Sequence, residues 1–202
     1  MKYTCVAAAL LACLVTRAAA ADEDFARSGA YIGVGASRSL NLLEAFLDDD
    51  PVLTNLQVSD TWGVNARAGY RLTSWFALEG EYEWMGEYKV RFGGLDLGHI
   101  NAQAATVNLR LIGPFGRFQP YLLLGAGALF IGTNDRFNAL DVESPSFAGR
   151  VGLGLDVFVT QHLYLNFGAE GVLSPAKVSL GTIASTHGAG AVDIQAGLGW
   201  RF

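Results

Sequence analysis

The chain has 202 residues, 14 basic and 19 acidic, with a formal charge of −5, and it combines a high mean hydropathy of +0.28 with 25 glycines. After the first twenty positions no run of about 18 apolar residues appears, which excludes a transmembrane helix, and the acidic balance excludes a nucleic-acid binder. Length sets a single domain; high hydropathy without a spanning helix favours a transmembrane β-barrel over a soluble core.

In chain order, the first element is a leader. Lys2 supplies a short positive start, Cys5 to Val15 an apolar stretch, and Ala18-Ala19-Ala20 a small-residue cleavage site, with Arg17 an awkward neighbour to the cut. Residues 1–20 therefore read as a secretory signal peptide and 21–202 as the mature barrel domain. Leu10-Leu11-Ala12-Cys13 loosely resembles a lipid-anchor motif, but the apolar stretch before it is short and Leu11 fits poorly. Both cysteines, Cys5 and Cys13, lie in the leader, so the mature chain is read as having no disulfide. Dropping Lys2 and Arg17 leaves twelve basic residues against nineteen acidic ones.

Eight segments then alternate with period two, apolar on one face and polar or small on the other. Ala30 to Arg38 sends Ile32, Val34 and Ala36 outward. Trp62 to Arg71 sends Trp62, Val64, Ala66, Ala68 and Tyr70 outward and Arg67 and Arg71 inward. Trp75 to Met85 turns Phe76, Leu78, Tyr82 and Trp84 out and Glu79, Glu81 and Glu83 in. Ala104 to Ile112 turns Val107, Leu109 and Leu111 out and Thr106, Asn108 and Arg110 in. Tyr121 to Phe130 follows, with Gly125 and Gly127 inward. Phe147 to Phe158 carries Arg150 and Asp156 inward, and Leu163 to Leu173 carries Asn166 and Glu170 inward. The last segment, Val192 to Phe202, has Val192, Ile194, Ala196, Leu198, Trp200 and Phe202 on one face. Asp193, Gln195, Gly197, Gly199 and Arg201 occupy the other.

Connection lengths alternate as well. Leu72 to Ser74, Gly113 to Arg117 and Val159 to His162 are tight, whereas Ser39 to Thr61, Gly86 to Gln103, Ile131 to Ser146 and Ser174 to Gly190 are long. Short periplasmic turns and long extracellular loops are the asymmetry of outer-membrane barrels. The predicted fold is all-β, an eight-stranded antiparallel up-and-down transmembrane β-barrel with both termini on the periplasmic side. Aromatics gather near the strand ends in two belts: Tyr70, Trp75, Phe76, Phe118, Tyr121, Phe158, Trp200 and Phe202 at one end, Trp62, Trp84, Phe130 and Phe147 at the other.

The stretches Trp62 to Trp84 and Gly116 to Phe130, with the C-terminal strand, resemble the small outer-membrane β-barrel family of opacity-type proteins and the outer-membrane protein A membrane domain. The spacing Gln195-x-Gly197-x-x-Trp200-x-Phe202 resembles the C-terminal signal read by the barrel assembly machinery. The resemblance spans about residues 28 to 202 and implies a bacterial outer-membrane location, with membrane lipid and lipopolysaccharide as surroundings. It does not imply an activity.

The inward charges are Arg67, Arg71, Arg110, Arg150 and Arg201 against Glu79, Glu81, Glu83, Asp156, Glu170 and Asp193. An eight-stranded barrel has an interior that side chains fill, so these groups should pair and close the lumen. Hairpin geometry sets Arg67 opposite Glu79 or Glu81, and Arg150 opposite or beside Glu170. The competing reading is a narrow gated polar pathway. Glu79, Glu81 and Glu83 form a column stepping by roughly 6 to 7 Å; with arginines nearby and no inward histidine, they make a poor metal cage. No metal or cofactor is expected.

Some barrels of this size modify lipid A with a histidine, a serine and an acid. His99, His162 and His187 fall in connections here, and no His-x-Ser stretch is present, so an enzyme is not expected. Ser39 to Leu47 places Leu40, Leu43, Phe46 and Leu47 at helical spacing, with Ser39 or Asn41 as a cap, and Asp48-Asp49-Asp50-Pro51 follows. That segment reads as a short helix on the barrel rim, or as a hydrophobic lip for apolar solutes as in the outer-membrane protein W type; a divalent cation joining the acidic run to lipopolysaccharide phosphates ranks low. The leading functional expectation is a non-enzymatic envelope protein displaying four surface loops to an extracellular ligand or host surface. The alternatives are a passive channel for small hydrophobic solutes and a lipid A-modifying enzyme.

Overall fold

The computed structural model describes residues 23–41, 56–58, 60–92, 95–135, 140–142, 144–180 and 184–202. Period-two alternation gives these stretches one wet and one apolar face only when extended, and nearly all of them are strands. A short helical turn, α1 (Glu23–Ala26), precedes β1 (Gly29–Asn41), β2 (Leu56–Val58), β3 (Thr61–Thr73), β4 (Phe76–Phe92) and β5 (Leu95–Ile112). After these come β6 (Phe118–Asp135), β7 (Leu140–Val142), β8 (Ser146–Phe158), β9 (Leu163–Leu180) and β10 (Ala184–Arg201).

Eight strands pair antiparallel in the order β10-β1-β3-β4-β5-β6-β8-β9, and β9 pairs with β10 to close the ring. The two short strands lie outside it, β2 against β4 and β7 against β9. The closing seam is continuous from Tyr31↔Arg201 to Asn41↔Ala191, and the Phe202 amide donates to the Ala30 carbonyl at 2.9 Å. The barrel is thus bonded without an edge along its described wall, as hydrocarbon demands.

Ile32, Val34, Trp62, Val64, Leu78, Val107, Leu109, Leu124, Val151, Leu153, Ile194 and Leu198 are exposed on the outer face. Exposed aromatics form two rims: Tyr70, Trp75, Phe118, Trp200 and Phe202 at the end carrying both termini, Trp62, Trp84, Phe130 and Phe147 at the other. Tyr121 and Phe158, expected in the first belt, instead point inward. They pack with Phe25, Tyr31, Ala77, Ile112, Leu123 and Tyr164 as an apolar floor to the lumen. Tyr31, Tyr121 and Tyr164 each lie over a neighbouring strand where a glycine leaves room: Gly69, Gly154 and Gly199, in that order.

Two expected long connections are mostly strand. Beyond a bulge at Met85/Glu87, β4 and β5 stay paired up to Phe92↔Leu95, and β9 and β10 stay paired to Leu180↔Ala184 across a shift at His187/Ala189. The bulge buries both Met85 and Gly86 and so breaks the alternation where a period-two reading stops. Ser39, Leu40 and Asn41 belong to β1 rather than to a helix; residues 42–47 of that predicted helix, like the leader, fall outside the described residues. At the tight β5–β6 turn Gly116 takes φ +62°, a left-handed conformation that suits glycine.

Candidate functional site

The inward polar positions of eight strands meet in one narrow space, so the lumen is where side-chain chemistry concentrates. All eleven inward charges are at most 5 % exposed. They stand in layers.

Nearest the terminal mouth stand Arg71 of β3 and Arg201 of β10, both of which donate to backbone carbonyls. Arg71 reaches the Gln119 side-chain oxygen at 2.6 Å, the Thr73 carbonyl at 3.2 Å, the Ser74 carbonyl and, at 3.4 Å, the Phe25 carbonyl. Arg201 reaches the carbonyls of Phe25 at 2.6 Å and Gln161 at 2.8 Å, with its guanidinium 4.5 Å over the Phe158 ring. Phe25 itself packs edge-on to Phe158 at 5.9 Å.

In the next layer Arg110 of β5 joins β4 to β8. It pairs with Glu79 at 3.0 Å and Asp156 at 2.8 Å, and lies 3.8 Å over the Tyr121 ring. The Tyr31 hydroxyl donates to Glu79 at 2.9 Å, and the Asn166 amide donates to Asp156 at 2.6 Å. The cavity left among Tyr31, Arg71, Arg110, Gln119, Asp156 and Tyr164 is about 20 Å³, room for about one water molecule.

Above this, Arg150 of β8 gathers three carboxylates: Glu81 at 3.2 Å, Glu83 at 2.9 Å and Glu170 at 2.9 Å. Asn108 donates to Glu81 at 3.1 Å and Ser37 to Glu83 at 2.9 Å. Gln195 ties the layers together, donating to Glu170 and accepting from Asn65 and, at 2.8 Å, from Arg67. Asp193 accepts from the Ser39 hydroxyl.

The structure brings Arg150 to Glu170 as hairpin geometry suggested. It does not bring Arg67 to either expected partner. Although Arg67 stands opposite Glu81 in register, no carboxylate of the described residues lies within 4 Å of it, because Arg150 reaches Glu81 from the far wall and Arg67 turns to Gln195 and Asn65. Gly197 faces inward against Gly35, while Trp200 and Phe202 are exposed outside. His162 stacks on Trp200 with ring centres 5.4 Å apart, and His99 stands 4.0 Å from Glu87 on the far hairpin. Gln119 and Phe25 were missed: Gln119 has the inward parity of β6 but precedes the predicted strand start, and Phe25 precedes any periodic segment.

Beyond the charged layers the inner wall turns apolar. Met85, Tyr88, Ala102, Ala104, Leu129, Ala148 and Val172 form a second cluster, with Ile131 packed against it. This cluster lies toward the end opposite the termini.

The family model described as the outer membrane protein beta-barrel domain matches residues 5–202. The crystal structure of the outer membrane protein OprG from Pseudomonas aeruginosa is similar, with a TM-score of 0.62 at 15 % identity over 89 % of this chain and 98 % of that one. Neisserial surface protein A gives 0.60 at 15 % identity over 87 % and 99 %. The outer membrane protein AlkL, solved in lipid bilayers, gives 0.55 at 14 % identity over 86 % and 90 %. No curated protein matches the sequence. At such identities these structures share the fold alone.

Proposed function

The chain belongs to the outer membrane protein β-barrel family and resides in the bacterial outer membrane, and from that premise we propose a non-enzymatic, structural and surface-display role with a closed lumen. The observation that carries this reading is the pair of arginine clusters: Arg110 and Arg150 are each held by carboxylates from more than one wall and are 1 % exposed. A hydrated pore would leave such groups in water. Ion pairs that cross the lumen do the reverse, fastening the walls together and excluding solvent. The end with tight turns and both termini faces the periplasm in this reading, and the tall β4–β5 and β9–β10 hairpins stand outside the cell.

The test is electrical. Purified protein in planar bilayers should give no stepwise conductance in potassium chloride, and expression should leave the lipid A mass spectrum unchanged. Discrete conductance steps would overturn the closed lumen, and a new lipid A species would overturn the non-enzymatic role.

A second reading is favoured by the apolar cluster around Leu129, Ala148 and Val172. A ring of buried apolar side chains above a charged floor suits a small hydrophobic solute that enters from outside and leaves sideways into lipid. Uptake of an apolar fluorescent probe by proteoliposomes, abolished by Val172→Asp but not by Glu83→Gln, would move this reading to first place.

A further inference from the structure

The terminal mouth of the barrel carries an arrangement that closing a lumen does not require. Three side-chain donors converge on one oxygen. The Phe25 carbonyl accepts from Gln119 Nε2 at 2.7 Å, from an Arg201 guanidinium nitrogen at 2.6 Å and from Arg71 at 3.4 Å. A carbonyl oxygen has two lone pairs, so three donors oversubscribe it, and the Arg71 contact is correspondingly long. Arg71 is 3 % exposed, and each of its bonds among the described residues ends on a neutral oxygen: three carbonyls and the Gln119 amide. Asp156, which lines the same small cavity, is committed to Arg110 and Asn166. A guanidinium in such a setting is matched better by an oxyanion, whose two or three oxygens accept parallel charge-assisted bonds near 2.8 Å.

From this geometry we propose that Arg71, Gln119 and Arg201 form an oxyanion-binding site at the terminal mouth, and that the α1 segment latches it by placing the Phe25 carbonyl where an anion oxygen would sit. The ligand class is a small carboxylate or phosphate group. The latch is held by the Phe25 ring, which packs on Phe158 and lies 5.2 Å beneath the Arg117 guanidinium. The cavity of about 20 Å³ is too small for an anion while Phe25 is seated. Binding and latching therefore exclude one another, and loosening the ring should raise the fraction of chains ready to bind. Arg117, exposed at the rim of the same mouth, adds positive charge along the approach.

The experiment uses the refolded chain in detergent micelles, with folding checked by heat-modifiable gel mobility. Sodium phosphate and sodium acetate are titrated separately, and the Arg71 Nε–H and Gln119 side-chain amide resonances are followed. Phe25→Gly should bind phosphate about tenfold or more tighter than the unaltered chain, because apparent affinity scales with the competent fraction. Phe25→Gly with Arg71→Gln should lose the response. Should Phe25→Gly fail to fold, Phe25→Leu serves, with a smaller gain in the same direction. A response to phosphate alone assigns a phosphate group, and an equal response to acetate assigns carboxylates. No shift with either anion, equal affinity in the Phe25 variant and the unaltered chain, or a response that survives Arg71→Gln would overturn the site.

Discussion

Replacing Arg150 with methionine keeps the length of the buried stem and removes the charge that three carboxylates share. Glu81, Glu83 and Glu170 lose partners at 3.2, 2.9 and 2.9 Å, each at no more than 3 % exposure. Among the described residues they keep only neutral donors: Asn108 for Glu81, Ser37 for Glu83 and Gln195 for Glu170. Breaking one buried pair costs about 3 to 5 kcal/mol, and orphaning three acids at once belongs near the upper figure. Against a total stability of about 5 to 15 kcal/mol, that is a third or more of the whole. Arg67→Met is the control. It removes a buried guanidinium that, among the described residues, is bonded only to the side chains of Gln195 and Asn65, a change worth about 1.5 to 3 kcal/mol. Urea unfolding in phospholipid vesicles, followed through the outward tryptophans Trp62, Trp75, Trp84 and Trp200, measures both variants. Adding Glu170→Gln to Arg150→Met should restore part of the loss by removing one orphan charge. An Arg67→Met loss equal to or larger than that of Arg150→Met would refute the placement of the main cross-lumen fastening at Arg150.

Leu109→Arg sets a charge on the outer face of β5, where Leu109 is 44 % exposed to what the fold makes lipid. It should lower stability in vesicles by about 2 to 4 kcal/mol, with Leu109→Val close to neutral. Gly127→Ala should destabilise by about 1 to 3 kcal/mol through overpacking, since its methyl would meet the Ala105 carbonyl and lie 2.7 Å from the Thr106 Cα, atoms of backbone that cannot swing away. Gly80→Ala, whose methyl meets only the Ala68 carbonyl at 3.8 Å, should leave urea resistance unchanged. Deleting Phe202 removes an exposed terminal aromatic and the Phe202–Ala30 bond; outer-membrane levels of folded protein should fall, and undiminished levels would count against an assembly role for this strand end.

Strand count, facing and the inward charged set are written locally, because alternation is a property of consecutive residues. Glu79, Glu81 and Glu83 share the lumen for the plain reason that they share parity on β4. Partner choice is different. Which carboxylate an arginine meets depends on which walls face each other across the closed ring, and that follows from strand tilt and stagger rather than from hairpin register. Arg150 on β8 reaches Glu81 and Glu83 on β4, two strands that are not neighbours in the sheet, and this leaves Arg67 with neutral partners. Phe25 was illegible for another reason: it sits outside any strand and is defined only by the hole it fills.

The three lumen tyrosines and the glycines beneath them also tie the chain's future to its past. A side chain at Gly69, Gly154 or Gly199 would occupy the volume of the Tyr31, Tyr121 or Tyr164 ring, so neither member of a pair can change size alone without a clash or a hole. Drift at these six positions has to move by compensated steps, a smaller ring first and a larger neighbour second. The partners stand on adjacent strands, and Tyr31 and Gly69 are directly opposite in register. Paired substitution there would trace the ring of strands from sequences alone, and a library randomising Gly69 with Tyr31 should recover folded barrels that randomising Gly69 by itself does not.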